Sequence, residues 1–261
     1  MFSAQPLKSF GVENVQVQIY GSPPELGAAA AQNAVEIISA ALERHGKARV
    51  IAATGNSQIP FIEELVRRSV NWSDVELFHM DEYIGLGANH PSSFRYWIRT
   101  RLVEKARPGQ VFYINGDAAD LKAETERYSQ LLLAEPIDVA FVGFGENGHI
   151  AFNDPSTADF NDSATVKRVA LDEACRKQQA GEKHFKDIDS VPEQAVTITC
   201  TGLLRANHWV CCVPEARKAQ AVRSALTGPI SETCPASLVR RHPNAYLYLD
   251  KGSASLLSRD V

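Results

Sequence analysis

Along this chain the spacing of apolar residues switches repeatedly between period two, or short unbroken runs, and the helical period. Val15-Gln16-Val17-Gln18-Ile19-Tyr20 alternates strictly, as a half-buried strand does. Ser22-Pro23-Pro24-Glu25 then opens a helix whose Val35, Ile38 and Leu42 fall on one face. Residues 49–53 form a short buried strand that meets Thr54-Gly55-Asn56-Ser57 and a helix carrying Ile62, Leu65 and Val66. Residues 75–80 predict the next strand, which leads into Asp81-Glu82-Tyr83. Helices are expected over about 92–103 and 119–133, the second with Leu121, Tyr128, Leu131 and Leu132 inward. Residues 137–142, 165–171, 195–199, 209–213 and 244–249 read as strands. Residues 214–226 read as a helix with Pro214 in its first turn and Gly228 beyond its end. Alternating strands and helices predict an α/β fold: a mostly parallel sheet covered by helices on both faces. No internal repeat, low-complexity tract or linker interrupts the pattern, so one domain is expected over residues 1–261.

Composition narrows the function classes. With 44% hydrophobic and 22% charged residues, the 261-residue chain reads as an ordinary globular protein. Its formal net charge of −4 leaves no basic footprint for nucleic acid. No apolar run approaches the roughly 20 residues that span a bilayer. The start, Met1-Phe2-Ser3-Ala4-Gln5-Pro6, lacks a charged-then-apolar signal pattern, so a cytoplasmic location is expected. Cys175, Cys200, Cys211, Cys212 and Cys234 are odd in number and have no zinc spacing, which suggests reduced, buried thiols.

Three strand ends carry the candidate chemistry, because open α/β sheets keep their sites beyond the carboxyl ends of their strands. The main one is Gly143-Phe144-Gly145-Glu146-Asn147-Gly148-His149-Ile150-Ala151-Phe152-Asn153-Asp154-Pro155. Its glycines mark tight backbone or close approach, and His149 and Asp154 can move or hold protons near neutral pH. A glycine-rich surface turn with incidental polar residues accounts for this stretch equally well. Thr54-Gly55-Asn56-Ser57, between a strand and a helix start, suits an anion, although it lacks the P-loop lysine. A plain turn with Asn56 or Ser57 as helix cap is the simpler alternative. Asp81 and Glu82 supply paired carboxylates, one of which becomes a base if its neighbour's charge raises its pKa. Adjacent strand side chains point to opposite faces, so one of the pair should face the cleft. Lys218 suits a phosphate or plain solvent, and the cationic stretch 175–184 suits a lid or a solvated face.

Taken together, these segments carry a family resemblance. Ala53-Thr54-Gly55-Asn56-Ser57, Phe78-His79-Met80-Asp81-Glu82-Tyr83-Ile84-Gly85-Leu86, His90-Pro91-Ser92-Ser93-Phe94 and the glycine–histidine stretch, in that order, resemble the glucosamine-6-phosphate deaminase/isomerase family. Ile188-Asp189-Ser190-Val191-Pro192 and His242-Pro243-Asn244-Ala245 extend the resemblance over nearly the whole chain. The 6-phosphogluconolactonases share the fold but carry an arginine after the Asp-Glu pair and lack the Tyr-x-Gly-Leu continuation. The resemblance implies a three-layer, Rossmann-like α/β/α sandwich with no metal or organic cofactor. It also implies that an amino-sugar 6-phosphate is ring-opened, that a proton moves between C2 and C1, and that ammonia leaves a ketose 6-phosphate. Asp81 matches the base at C2, and His149 matches the residue that shuttles the ring-oxygen proton. Asn147 and Asp154 match its two helpers. Thr54, Gly55, Asn56 and Ser57 match the phosphate loop, Lys218 matches a phosphate-binding lysine, and Glu82 and Gly145 match other substrate-site positions.

Two positions depart from the family pattern. Asp154 stands where glutamate is usual, which shortens its reach by about 1.5 Å; either the backbone compensates or the ring-opening relay differs. Gln178-Gln179-Ala180-Gly181 stands where the family commonly reads Ala-Asn-Ser/Ala-Arg, so Lys183, His184 or Lys177, with Arg176 behind them, is expected to supply the missing cation. A glucosamine-specific enzyme is the leading expectation. A galactosamine epimer, a lactonase-like hydrolase and a non-catalytic sugar-phosphate sensor are the alternatives. Homo-oligomer formation is left open.

Overall fold

The computed structural model describes residues 5–181 and 185–258. Its centre is an eight-stranded sheet built from β1 (Lys8–Val12), β2 (Val15–Tyr20), β3 (Ala48–Ala52), β4 (Val75–His79), β6 (Gln110–Phe112), β7 (Val139–Val142), β10 (His208–Val213) and β11 (Ala245–Asp250). The spatial order is β1-β2-β11-β10-β7-β3-β4-β6. Every pairing is parallel except the edge hairpin β1–β2. From β3 the chain moves outward through β4 to β6, then returns to lay β7 on the other side of β3. The boundary between β3 and β7 is therefore the switch point of the sheet, where loops diverge and leave a crevice.

The central strands are buried on both faces, which is why they read as unbroken apolar runs. In β3, Val50 and Ala52 enter one core while Ile51 enters the other. Val139 and Phe141 of β7 likewise oppose Ala140 and Val142. On one face pack α1 (Pro23–His45), α2 (Ile59–Leu65) and the helical stretch of α3 (Phe94–Ile98) and α4 (Glu104–Ala106). On the other lie α5 (Leu121–Leu133), α7 (Cys200–Leu204), α8 (Ala219–Thr227) and the 3-10 turns of Pro235–Arg240. The result is the expected α/β/α sandwich.

Several elements differ from the sequence reading. Asp81–Tyr83 (β5), Val166–Ala170 (β8) and Gln194–Ile198 (β9) form a separate antiparallel sheet, ordered β5-β9-β8, rather than extending the main one. The chain steps from one sheet to the other at Met80, whose carbonyl accepts Ile198 N at 3.1 Å. The helix expected over 92–103 is α3 and α4 joined through a π-helical turn, Arg99–Val103. There the Thr100 hydroxyl donates to the carbonyls of Tyr96 and Trp97 and enters the backbone ladder. Pro214 lies outside any helix, because Ala216–Lys218 is a 3-10 turn and α8 begins only at Ala219. The polar stretch after Leu171 forms α6 (Glu173–Gly181), which packs on an aromatic core of Tyr83, Phe94, Phe152 and Phe185. Among the described residues, no helix is long and apolar enough to cross a membrane.

Candidate active site

The carboxyl ends of β3, β7 and β10 open on a cleft of about 550 Å³. The β3 end contributes Ala53, Thr54, Gly55 and Ser57. Gly55 has φ of 96°, and a Cβ there would meet nothing within 4 Å, so backbone angle rather than space calls for glycine. Beneath this turn, buried Gln58 donates from Nε2 to Cys212 O at 3.2 Å and ties the loop to β10. Asn56 begins the 3-10 turn Asn56–Gln58, but it is not among the residues that line the cleft, contrary to the sequence expectation.

Asp81 lines the cleft and Glu82 does not. Opposite-face projection along β5 separates them. Glu82 is fully buried, accepting from Ser93 Oγ at 2.7 Å, Phe94 N at 3.1 Å, Arg95 N at 2.8 Å and Tyr83 N at 2.9 Å. The Arg95 guanidinium lies 3.3 Å away. Glu82 therefore anchors the start of α3, and its expected role as a substrate contact is corrected. Among the described residues, no such donor reaches Asp81. Burial, and secondarily the charge of Glu82, push its carboxyl up to about 8. A carboxylate must be ionised to accept a proton, so with Asp81 as a base that activity is lost as pH falls through about 8. The expected kcat/KM profile declines below that pH, and Glu82→Gln moves the limb to lower pH by removing the neighbouring charge.

The turn after β7 brings Gly143, Phe144, Gly145, His149, Ala151 and Phe152 to the cleft. The imidazole lies flat over Gly145, where a Cβ would come within 2.3–2.5 Å of three ring atoms. Gly148, at φ 84°, lets the chain reverse so that Gly145 N bonds His149 O at 2.9 Å. Asn147 accepts His149 N at 3.0 Å and donates from Nδ2 to Asp154 Oδ1 at 2.9 Å. That same oxygen stands 3.0 Å from His149 Nδ1. The shorter acid thus comes within 3.0 Å of the imidazole. Ala151 has φ of 50°, and Asn153 pins the turn by donating to Ile150 O and Ile198 O at 3.0 and 2.9 Å. Burial opposes ionisation of Asp154, but His149, Asn147 and Cys175 together outweigh it and hold its carboxyl below the usual range.

Lys218, 2% exposed, completes the wall from the 3-10 turn after β10, not from one turn inside a helix. The turn begins at Glu215, which has φ of 81°, a conformation unusual for a residue with a side chain. Its N–H donates to the Asp250 carboxylate at 3.2 Å. Gln178 and Gln179 of α6 also line the cleft.

With this geometry in place, the chain can be set beside known proteins. Residues 21–248 match the family model for glucosamine-6-phosphate isomerases and 6-phosphogluconolactonase. The chain belongs to this family. It is 34% identical over 229 residues to a glucosamine-6-phosphate deaminase of Listeria monocytogenes, covering 88% of this chain and 96% of that one. The corresponding deaminase of Oenococcus oeni is 32% identical over 245 residues, 94% of this chain and all of that one. A solved monomeric glucosamine-6-phosphate deaminase superposes with TM-score 0.84 at 31% identity, over 92% of this chain and 99% of that chain. The 6-phosphogluconolactonase of Thermotoga maritima shares the fold, with TM-score 0.74 at 18% identity over 91% of this chain and 100% of that chain.

Within this glucosamine-6-phosphate isomerase/lactonase family fold, the residues singled out in the sequence fall into three groups. Thr54, Gly55, Ser57, Asp81, Gly145, His149 and Lys218 line one cleft. Asn147 and Asp154 stand behind His149. Among the candidates for an extra cation, Lys177 is exposed and paired with Glu173 at 2.6 Å, while Arg176 donates to Ile188 O at 2.9 Å. Neither lines the cleft. Lys183 and His184 lie outside the described residues. Sequence reasoning missed Phe94, Phe152, Gln178 and Gln179 as lining residues. His149, Asp154 and Cys175 bring metal-ligand atoms within 4.8 Å of one another. The carboxylate is already engaged by Asn147, and burial pushes the Cys175 thiol far above its ordinary range, so a metal would first have to displace that proton.

Proposed function

We propose that this protein converts glucosamine 6-phosphate and water to fructose 6-phosphate and ammonia. One observation carries this reading: a buried carboxylate, Asp81, and an imidazole backed by a carboxylate, His149 with Asp154 behind it, meet at the same cleft as the buried Lys218. Two proton-handling groups in different environments suit a reaction with two distinct proton transfers.

In this mechanism the Thr54–Ser57 turn and Lys218 hold the phosphate and set the sugar against both groups. His149 moves the C1 hydroxyl proton to the ring oxygen, which breaks the C1–O bond and leaves an aldehyde. Asp154 fixes the imidazole and stabilises its protonated form. Asp81 then takes the C2 proton, the C–H electron pair forms a C1–C2 double bond, and the aldehyde C=O opens with its oxygen taking up a proton, which gives an enolamine. Returning the C2 proton to C1 as the nitrogen lone pair forms C2=N, with loss of one N–H proton, leaves an imine at C2. Water adds to that carbon, ammonia departs and the ketose remains. Loss of the acid-base relay should therefore act on kcat, whereas loss of the phosphate grip should act on KM.

Lys218→Ala tests the second half of that division. The expected result is a KM for the sugar phosphate raised roughly 10- to 100-fold, the effect of losing a charge-assisted hydrogen bond, with a smaller change in kcat. An unchanged KM would remove Lys218 from the phosphate site. Galactosamine 6-phosphate assayed in parallel establishes the epimer, and a glucosamine preference is expected.

A further inference from the structure

One face of α6 packs against Tyr83 of β5, the glycine turn and the His149–Asp154 pair. Cys175, Gln178 and Gln179 stand at i, i+3 and i+4, so they share that face. Gln179 accepts from Tyr83 Oη at 2.7 Å, next to the strand that carries Asp81. Gln178 accepts from Glu146 N at 3.2 Å, inside the glycine turn. Cys175 is fully buried, and its sulfur lies within 4.8 Å of an Asp154 carboxylate oxygen and a His149 ring nitrogen, while Asp154 Oδ2 is buried with no hydrogen-bond partner among the described residues.

The start of α6 and the loop carrying Asp154 are stitched together. Asp172 accepts Cys175 N at 2.8 Å through one oxygen and Ser156 Oγ at 3.0 Å through the other. Asp154 O accepts the N–H groups of Thr157 and Ala158 at 2.9 and 2.8 Å in the same loop. The backbone that carries the thiol is therefore held beside the loop that carries the carboxylate. Asn147 and His149 approach Asp154 from the glycine turn, and Cys175 approaches from the helix.

We propose that Cys175 is a positioning residue for the ring-opening relay: its thiol donates to Asp154 and orients the shortened acid against His149. The inference rests on the deaminase reading for its catalytic consequence, but not for its geometry. The thiol serves only as a proton-bearing donor. Burial and the neighbouring carboxylates Asp154, Asp172 and Asp81 keep it protonated, so it has no nucleophilic part in the chemistry. Cys175, Asn147 and His149 each favour the ionised form of Asp154. Losing the thiol should raise the pH at which this carboxyl ionises and carry the dependent activity limb upward.

The test compares Cys175→Val, which keeps the volume and removes the donor, with Cys175→Ser, which keeps a donor. Two quantities are read in each: the titration of the Asp154 carboxyl by ¹³C NMR without substrate, and kcat and KM for glucosamine 6-phosphate. In Cys175→Val the carboxyl should titrate at higher pH and kcat should fall roughly tenfold with KM nearly constant. Cys175→Ser should recover most of both. A Val variant with an unmoved carboxyl titration overturns the proposal, whatever its activity. A Ser variant as impaired as the Val variant also overturns it, because packing alone would then explain the loss. A shifted carboxyl in a protein whose wild-type form releases no ammonia would uphold the positioning role and refute the deaminase reading.

Discussion

Asp81→Asn is expected to cut kcat by about 10³-fold or more while making the protein more stable. The catalytic loss follows from replacing the proposed base at C2 with an amide of the same size, and general-base catalysis alone is worth about 10²–10⁴-fold. The stability gain follows from the sign of the pKa shift. Burial and Glu82 push the folded-state carboxyl up to about 8, well above the value near 3.9 of an exposed aspartate. Between those pH values the folded protein binds the proton more tightly than the unfolded chain, so stability falls as pH rises through that window. Asparagine carries no charge to bury. The variant should match the parent below about pH 4 and exceed it by several kcal/mol above about pH 8, at about 1.4 kcal/mol for each of roughly four pKa units. Thermal unfolding at both ends of the window, together with the assay, checks this. Equal stability at alkaline pH would mean that the Asp81 environment is more hydrated than the cleft suggests.

Gly145→Ala is the second large effect, and it acts without touching an ionisable group. A Cβ at position 145 would lie 2.3 Å from His149 Cε1, 2.4 Å from Nδ1 and 2.5 Å from Nε2. Atoms cannot share that space, so the imidazole must move by at least several tenths of an ångström and leave its alignment with Asp154. A misplacement of 1 Å can cost about 10²-fold in rate, and the expected fall in kcat is of that order. Overpacking should also lower stability by about 1–3 kcal/mol. The effect is steric, because Gly145 does not have the positive φ seen at Gly55 and Gly148. A variant with wild-type kcat would show that His149 does not work from this position.

The sequence made the main sheet and its three converging strand ends legible. Strands buried on both faces leave apolar runs, and the turns after them are marked by Gly55, Gly143, Gly145 and Gly148. The second sheet was not legible. Its β5 is Asp81-Glu82-Tyr83, and two buried carboxylates run against the apolar signature of a strand. The division of labour between them followed from strand alternation, whereas the use of Glu82 as the anchor of α3 depends on Ser93 and Arg95 folding back over it. Asp154 looked too short because reach was counted in side-chain atoms. The turn held by Asn153 and by the positive φ of Ala151 brings the acid within 3.0 Å of the ring. The helix α6 was hidden by its polarity, since a run of Arg, Lys and Gln resembles a solvated face. Only the spacing of Cys175, Gln178 and Gln179 signals that one side of it turns inward.

The proposed reaction requires an amino group to leave a sugar phosphate in this cleft, and product analysis of the wild-type protein with glucosamine 6-phosphate tests that most directly. Ammonia and fructose 6-phosphate are expected in equal amounts, with 6-phosphogluconolactone left intact beyond its spontaneous rate. Hydrolysis of the lactone, with no ammonia from the amino sugar, would contradict the account.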